Sequence, residues 1–476
     1  MISDKQLSFG IIGLGTMGRN MLLNMADHEF AVAGYDKNTK QVQALYQEDL
    51  TGLTKGFSDI TAFIQSFSGI RTIMLLVPAG KIVDAVLSEL LPLLKKGDII
   101  IDGGNSHFTD TERRYKDLEQ KGFHFIGMGV SGGEEGARKG PSMMPGGDKK
   151  AYETIAPILK KIAAHVNSEP TVAFMGLGSA GHFVKMVHNG IEYAMMQLIS
   201  ETYELLKKEL QLHDDEIHNV FKNWNEGRLQ SYLLEITTDI FAFKSTGEST
   251  LLLNDIKDEA KAKGTGKWTS QTAMDLTVPI PIIDIAVAFR DLSKYKSLRI
   301  ETSKLYPNLK EVKYPGIAQE YLSHLEEAFY FSMVSAYSQG MHLLYQANIT
   351  YKYELNLELI AKIWRGGCII RAVFLKDIYA AYKKNPKLEH LFLDNSIKES
   401  LTKSIPAIRT IVSDAVQNGI AVPAFSASLS YFDGLRNENM PANLIQAQRD
   451  YFGAHTYERI ATEGIFHTDW LTQTNK

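Results

Sequence analysis

Five residues between positions 185 and 193 carry side chains suited to moving protons: Lys185, His188, Asn189, Glu192 and Tyr193. On a helix they fall within one arc of roughly 140°. Val184, Val187, Ile191, Ala194 and Leu198 fall on the opposite side. The pattern predicts a helix that packs by its apolar face and presents an amine, an imidazole, an amide and a carboxylate on the other. Lys and Glu alone would suit a solvated face, but His, Asn and Tyr are not the usual solubilising residues. A glycine, Gly190, also sits mid-helix, at a cost of about 1 kcal/mol relative to alanine. A Lys and a Glu seven apart suit one kind of chemistry. A secondary alcohol gives up hydride only if a base takes its hydroxyl proton, and a lysine is such a base where burial or a nearby charge lowers its pKa. The resulting β-keto acid loses CO₂, and a carboxyl group can protonate the carbon of the enediol left behind. That pair needs no metal.

The hydride acceptor has its own signature. Gly13-Leu14-Gly15-Thr16-Met17-Gly18 follows an apolar run and opens a helical pattern. In such a loop the first glycine makes the tight turn, the second lets the backbone approach a pyrophosphate, and the third lets helix and strand pack closely. The helix N-terminus then offers free N–H groups to phosphates. Asp36 follows the second strand, with Lys37 and Asn38 after it. A second such string, Gly176 to Gly181, lacks the strand a second nucleotide unit needs and reads as a flexible joint between domains. Asp102-Gly103-Gly104-Asn105-Ser106 and Ser131-Gly132-Gly133 each follow a strand, where parallel-sheet ligands sit and where glycines free N–H groups to hold a carboxylate. Lys263 and Arg290 lie near turn and breaker signals and are able to bind a phosphate, although single basic residues are more often surface charges.

These residues need elements to hold them. Apolar runs at Phe9–Ile12, Ala31–Tyr35, Thr72–Val77, Asp98–Asp102, His124–Gly129 and Thr171–Phe174 alternate with helical patterns. That alternation predicts a Rossmann-like, parallel, doubly wound sheet. After about Gly181 strand signals stop, and Phe183–Leu210 begins a large all-α region. Glu327–Ala347 has a similar rhythm, which hints at a duplicated helical unit. From Pro441 the chain turns polar and aromatic, as a frayed tail or as an arm docked on a partner subunit. The expected division is a dinucleotide-binding domain over 1–178, a helical substrate and dimerisation domain over 179–440, and a C-terminal arm over 441–476.

The whole chain of 476 residues is too long for one core. Its net charge of −4 gives no basis for a nucleic-acid or anionic-membrane partner. A single cysteine, Cys368, builds no disulfide framework and reads as a core thiol beside Trp364. The start, Met1 to Gln6, shows no basic segment followed by an apolar signal core, and the longest apolar candidate, Val278–Phe289, is broken by Pro279, Pro281 and Asp284. The cytoplasm is the default compartment.

Taken together, Gly13–Gly18, Asp102–Asn105, Ser131-Gly132-Gly133, Lys185-x-x-His188-Asn189-Gly190-Ile191-Glu192-Tyr193, Lys263-Gly264-Thr265-Gly266-Lys267-Trp268-Thr269, and Gln448-Arg449-Asp450 with His455 closely resemble the long-chain 6-phosphogluconate dehydrogenases. The match runs essentially from end to end, and the helical face and the Lys-Gly-Thr-Gly-Lys-Trp segment are its most specific parts. The resemblance implies a homodimer with shared active sites that oxidises and decarboxylates a sugar-acid phosphate. It implies that Lys185 is the base and Glu192 the acid. Asn105, Ser131, Gly132, Gly133, His188 and Asn189 would hold the sugar acid and order the nicotinamide. Tyr193, Lys263 and Arg290 would bind the phosphate end, with Arg449 and His455 reaching in from the other subunit. Two positions depart from the family. Its usual Asn-Arg-Ser/Thr is here Asp36-Lys37-Asn38, and its usual Val-Lys-Ala is here Val77-Pro78-Ala79. A carboxylate at 36 favours the bare 2′-hydroxyl of NAD, whereas Lys37 could still pair with a 2′-phosphate; the resemblance implies NADP as the cofactor, with NAD or dual use as the alternative. A short-chain β-hydroxyacid dehydrogenase would lack the His188/Glu192 pair, the large helical domain and the arm. A non-catalytic dinucleotide-binding protein would be free to lose Lys185 or Glu192.

Overall fold

Short β-rich runs punctuated by helices build the first third of the molecule. The computed structural model describes residues 6–7, 9–245, 250–306 and 314–471. The reading of the N-terminus falls mostly on residues outside these. Seven strands form one sheet: β1 (Phe9–Ile12), β2 (Val32–Tyr35), β3 (Thr54–Phe57), β4 (Thr72–Leu75), β5 (Ile99–Asp102), β6 (His124–Ser131) and β7 (Ser142–Gly147), in the order β3-β2-β1-β4-β5-β6-β7. β1 to β6 pair in parallel, whereas β7 runs antiparallel to β6 with Ile126 opposite Gly147. The sheet is therefore mixed, not all parallel. Helices α1 (Thr16–Asp27), α2 (Thr39–Glu48), α3 (Ile60–Gln65), α4 (Lys81–Leu90), α5 (Phe108–Gln120), α6 (Gly133–Lys139) and α7 (Lys149–Ile162) connect the strands and flank them. Separate apolar clusters cover the two faces of the sheet, one around Met21, Leu22 and Ile101, the other around Phe63, Leu75 and Val83.

Two expectations need correction here. Thr171–Phe174 is not a strand. After a two-residue hairpin of β8 (His165–Val166) and β9 (Glu169–Pro170), the chain runs beside β7 with a single bridge, Met143 to Val172. Thr171 spends its N–H and hydroxyl on Ala164 O and Pro141 O instead. Nor is Gly176–Gly181 a loose joint. A Cβ on Gly176 would stand 2.1 Å from Tyr353 O, and one on Gly181 would stand 2.2 Å from Gly127 O. The segment is a tightly packed turn.

The rest is helical: α8 (Ala180–Lys208), α9 (Asp214–Asn225), α10 (Tyr232–Ala242), α11 (Thr265–Asp275), α12 (Pro281–Ser293), α13 (Lys296–Leu305), α14 (Ala318–Tyr351), α15 (Leu357–Ile363), α16 (Leu375–Lys384), α17 (Asn395–Gln417) and α18 (Pro423–Leu435). The two long helices whose rhythms match, α8 and α14, pack on each other, with Gly340 of α14 against Ile191 and Val187 of α8. Among the described residues no helix is long and apolar enough to cross a membrane. The chain divides into two compact units, Met1–Ser428 and Leu429–Lys476. The second contains α19 (Ala442–Gly453) and a hairpin of β10 (Tyr457–Glu458) and β11 (Ile465–Phe466). It is not a frayed tail, because buried Asp450 accepts hydrogen bonds from Thr456 N, Thr468 N, His467 Nδ1 and Trp470 Nε1. Desolvation alone would raise that carboxyl, but these donors hold it down to about 2.

α8 also carries a titratable anchor. Buried Glu201 accepts from Ala424 N at 2.9 Å and Phe425 N at 3.2 Å at the start of α18, and from Gln197 Nε2 at 2.9 Å. Burial pushes it up to about 7 against those donors. A carboxyl that holds its proton more tightly folded than unfolded stabilises most at low pH and loses that stability as pH rises from about 4.5 through 7. The unfolding free energy of the unaltered protein minus that of Glu201→Gln is expected to fall by about 2.5 kcal/mol between pH 5 and 8. Urea titration at both pH values checks this, and a difference independent of pH contradicts it.

Candidate active site

The approach of β6 and α11 brings the polar face of α8 indoors. On β6, Gly129 lets the helix lie close, since a Cβ there would meet Lys185 Cβ at 2.3 Å. On the other side, a Cβ on Gly190 would meet Thr269 Cγ2 of α11 at 2.7 Å. The mid-helix glycine thus exchanges helix propensity for a close helix crossing. As a result Lys185, His188, Asn189 and Tyr193 are all buried, and the Glu192 side chain is 22 % exposed. Over this stretch neither side of the helix is solvated, whereas Met196, Ser200 and Lys207 further along it are exposed.

Within this face Lys185 Nζ donates to Asn189 Oδ1 at 2.7 Å and lies 3.3 Å from His188 Nδ1. His188 Nδ1 is in turn 3.9 Å from Glu192 Oε2, and His188 Nε2 is 3.2 Å from Ser131 Oγ. The imidazole therefore sits between the amine and the carboxyl. Burial pushes the Lys185 ammonium down, with Glu192 and Cys368 opposing. Burial pushes Glu192 up, with Lys185 and Arg290 opposing. Burial and the neighbouring Lys185 together drive His188 well below its usual value. A lysine moved toward its neutral form and a carboxyl moved toward its protonated form make a base and an acid one helix face apart. His188 is left neutral, able to hydrogen-bond without adding charge.

Two loops close on this face. The Asp102–Ser106 turn is held from below, with buried Asp102 accepting from Ser106 Oγ at 2.6 Å, Gly104 N at 3.1 Å and Arg114 Nη1 at 3.4 Å. This presents Asn105 to a small cleft shared with His182, Lys185, Asn189, Thr265 and Trp268. Ser131-Gly132-Gly133 closes from the other side. Gly132 sits at φ 118°, and a Cβ there would meet Gly367 O at 2.7 Å. Ile369 N donates to Ser131 Oγ at 3.4 Å. At the far end, the Arg290 guanidinium stacks over the Tyr193 ring at 3.6 Å, and Gly266 abuts the same ring. Lys263, exposed just before Gly264, opens that turn.

At the carboxyl end of β1, Gly13 turns at φ 97° with its missing Cβ filled by Leu76 O, and Gly18 packs on Gly13 O. A Cβ on Gly15 would meet nothing within 4 Å. α1 then starts at Thr16 and Met17 with no side-chain cap, leaving N–H groups for an anion. An open face at the second glycine and an uncapped helix start fit a dinucleotide pyrophosphate. Val77-Pro78-Ala79 follows β4 next to the Asp102–Ser106 turn, Val77 O lying 3.1 Å from a Cβ built on Gly104.

Comparison with known proteins settles the family. A model described as the NAD binding domain of 6-phosphogluconate dehydrogenase matches residues 8–176, and one described as the 6-phosphogluconate dehydrogenase C-terminal domain matches 181–470. The chain belongs to the 6-phosphogluconate dehydrogenase family. It is 47 % identical over 470 residues to the decarboxylating 6-phosphogluconate dehydrogenase of Lactococcus lactis subsp. lactis, covering 98 % of this chain and 99 % of that protein. It is 48 % identical over 464 residues to the NADP(+)-dependent, decarboxylating enzyme of Bacillus subtilis, covering 97 % and 98 %. The structure of Plasmodium falciparum 6-phosphogluconate dehydrogenase, described in apo form and with NADP+ or 6-phosphogluconate, superposes with a TM-score of 0.94 at 43 % identity, covering 97 % of this chain and 100 % of that one.

Within the first unit of this family member, Lys185, His188, Asn189, Glu192 and Ser131 meet directly, Asn105 shares the Lys185 cleft, and Tyr193 joins Arg290. Arg449 and His455 lie in the second unit, where Arg449 Nη1 donates to Gln446 Oε1 at 3.2 Å and His455 stands edge-on to Phe452. Asp36 proves to be a bracket, accepting from Leu14 N and Asn38 N at 2.8 Å each. Sequence reasoning placed Cys368 in the core beside Trp364 but missed what the 364–369 turn touches. Trp364 packs edge-on to His188, Gly367 O accepts from Ser142 N at 2.8 Å, and buried Cys368 donates its thiol proton to Trp364 O at 3.0 Å. The string Arg365-Gly366-Gly367 reads as a turn but does not announce these contacts. His182, one turn before Lys185 with Nδ1 2.7 Å from Thr111 Oγ1, was also missed.

Proposed function

We propose that the chain catalyses the oxidative decarboxylation of 6-phospho-D-gluconate to D-ribulose 5-phosphate and CO₂ with reduction of NADP, NAD being a second acceptor. The observation that carries this reading is the Lys185–His188–Glu192 array, whose base and acid are shifted in opposite directions by burial. The names of the relatives supply the substrate and the acceptor.

When bound, the nicotinamide accepts a hydride from the hydroxyl-bearing carbon β to the substrate carboxylate. Lys185 takes the proton of that hydroxyl and becomes an ammonium, stabilised by Asn189 Oδ1 at 2.7 Å. The same ammonium then polarises the new keto oxygen while the carboxylate leaves as CO₂. Glu192 gives its proton to the carbon so exposed. Ser131, Gly132, Gly133 and Asn105 hold the acid end, His188 and Asn189 fix the reacting carbons, and Tyr193, Lys263 and Arg290 hold the phosphate. Gly13 to Gly18, Asp36 to Asn38 and Val77 to Ala79 cradle the dinucleotide. These steps use no metal.

We read 1–178 as the dinucleotide-binding domain, 179–440 as the helical substrate and dimerisation domain, and 441–476 as an arm by which Arg449 and His455 complete a partner's site. Exposed apolar side chains support a homodimer, notably Phe243, Ile256, Met274 and Leu305 in the first unit and Leu444, Ile445, Phe452 and Ile465 in the second. A reducing, cytoplasmic setting suits the one buried thiol. Purified protein given 6-phosphogluconate and NADP is expected to release one CO₂ per reduced cofactor. No turnover with either NADP or NAD defeats the reading.

A further inference from the structure

The charged side chains at the end of β2 already have partners, mostly backbone N–H groups. Both Asp36 oxygens accept backbone N–H groups, from Leu14 and Asn38. The Asn38 side chain caps α2 by accepting from Lys40 N at 3.1 Å. Asp59 caps α3, accepting from Ala62 N at 2.7 Å. The loop's own cation, Lys37, is 2.7 Å from Glu89 Oε1 on α4. Asp36, Asp59 and Glu89 all act electrostatically on Tyr35, and Lys37 alone opposes them. Three carboxylates thus act on the end of β2, and the ammonium that opposes them at Tyr35 is paired.

In a fold of this kind the end of the second strand reads the adenosine ribose: a carboxylate suits a 2′-hydroxyl and a cation suits a 2′-phosphate. We propose that Glu89 is a specificity-determining residue which, by holding Lys37 in an ion pair, withdraws the loop's cation from a 2′-phosphate, so that the chain binds NAD and NADP with comparable strength. This rests on the reading that the dinucleotide lies along Gly13–Gly18. The side chains of Lys37 and Glu89 are 66 % and 44 % exposed, and pairs so exposed are weak. A 2′-phosphate therefore competes with Glu89 for Lys37 and is not shut out. Glu89 takes no part in the described hydrogen bonds except with Lys37, so replacing it leaves the fold intact.

Calorimetric titration of the purified protein with NAD and with NADP, at low salt and without sugar acid, tests the proposal independently of turnover. The unaltered protein is expected to show dissociation constants within about tenfold of each other, because no net positive charge faces the 2′ position. Glu89→Gln leaves Lys37 unpaired and is expected to tighten NADP about three- to fivefold while leaving NAD unchanged. Glu89→Lys, which adds a second cation, is expected to tighten NADP about tenfold or more, and the gain shrinks as salt rises above ~0.2 M. Adding Lys37→Gln to Glu89→Gln is expected to remove the gain. An NADP-to-NAD ratio that stays within about twofold of the unaltered protein in both single variants overturns the role of Glu89 while leaving the dinucleotide site in place. Failure of the unaltered protein to bind either dinucleotide overturns the reading of the glycine loop, and this proposal with it.

Discussion

Lys185→Met is expected to lower kcat with 6-phosphogluconate by about 10³-fold or more while the protein still folds and still binds the dinucleotide. The magnitude follows from the role. A positioned base contributes about 10²–10⁴, and methionine offers no lone pair that accepts a proton at neutral pH. The fold survives because the side chains are similar in length and apolar shape, and because a buried amine is itself costly. Only two polar contacts are lost, those to Asn189 Oδ1 and His188 Nδ1. Dinucleotide binding survives because, among the described residues, the hydrogen bonds of Lys185 go to His188 and Asn189 and none to the Gly13–Gly18 loop. Lys185→Arg separates charge from basicity. A guanidinium keeps the positive charge but stays protonated, so it too is expected to be inactive. The pH dependence of the unaltered protein carries the same information. Burial lowers the Lys185 pKa from its ordinary 10.5, so the rate falls as pH drops through that lowered value and the amine becomes an ammonium. Formation of reduced cofactor, followed optically alongside calorimetric cofactor binding, checks each statement. More than a tenth of the original activity in Lys185→Met removes Lys185 from the proton-transfer step.

The parts of this site that sequence revealed are those whose signal is local. The α8 face is periodic, and the glycine loop comes with its strand and its helix on either side. Burial of the face was not legible, because its causes are remote: Gly129 of β6 and Thr269 of α11 lie some 60 residues before and 80 after the helix residues they touch. A polar arc on a helix looks the same whether water or a strand covers it. β7 was hidden for another reason. Its Pro145-Gly146-Gly147 reads as a turn, yet at the edge of the sheet proline and glycine are tolerated. Asp36 was recognised by type but not by its partners: one oxygen accepts from Asn38 N, the other from Leu14 N, a contact across 22 residues that no spacing announces. The 364–369 turn shows the same limit. Its contact with Ser131 spans 238 residues, and only the fold brings Ile369 N to that hydroxyl.

Glu192→Gln is expected to separate oxidation from the last proton transfer. The substitution keeps the size of the side chain and an oxygen within reach of His188, but an amide cannot give a proton to carbon. Lys185 is untouched, so the hydroxyl proton can still leave and the keto acid can still lose CO₂. Loss of the neighbouring carboxyl also removes the charge that favours the Lys185 ammonium, which keeps the amine in its neutral, proton-accepting form. The first turnover is therefore expected to yield about one reduced cofactor and one CO₂ per site in a burst, followed by steady turnover about 10²–10³-fold slower, limited by protonation of the enediol. The alkaline limb of the pH profile gives a second check. Burial raises Glu192 above its ordinary 4.5, so in the unaltered protein the rate falls as pH rises through that raised value and the acid loses its proton. In Glu192→Gln this limb is expected to disappear, because the variant has no proton to lose there. Rapid-quench measurement of CO₂ beside stopped-flow measurement of reduced cofactor distinguishes the cases. A variant without a burst, slowed equally in its first and later turnovers, would place Glu192 before hydride transfer and assign the carbon-protonating acid to another group.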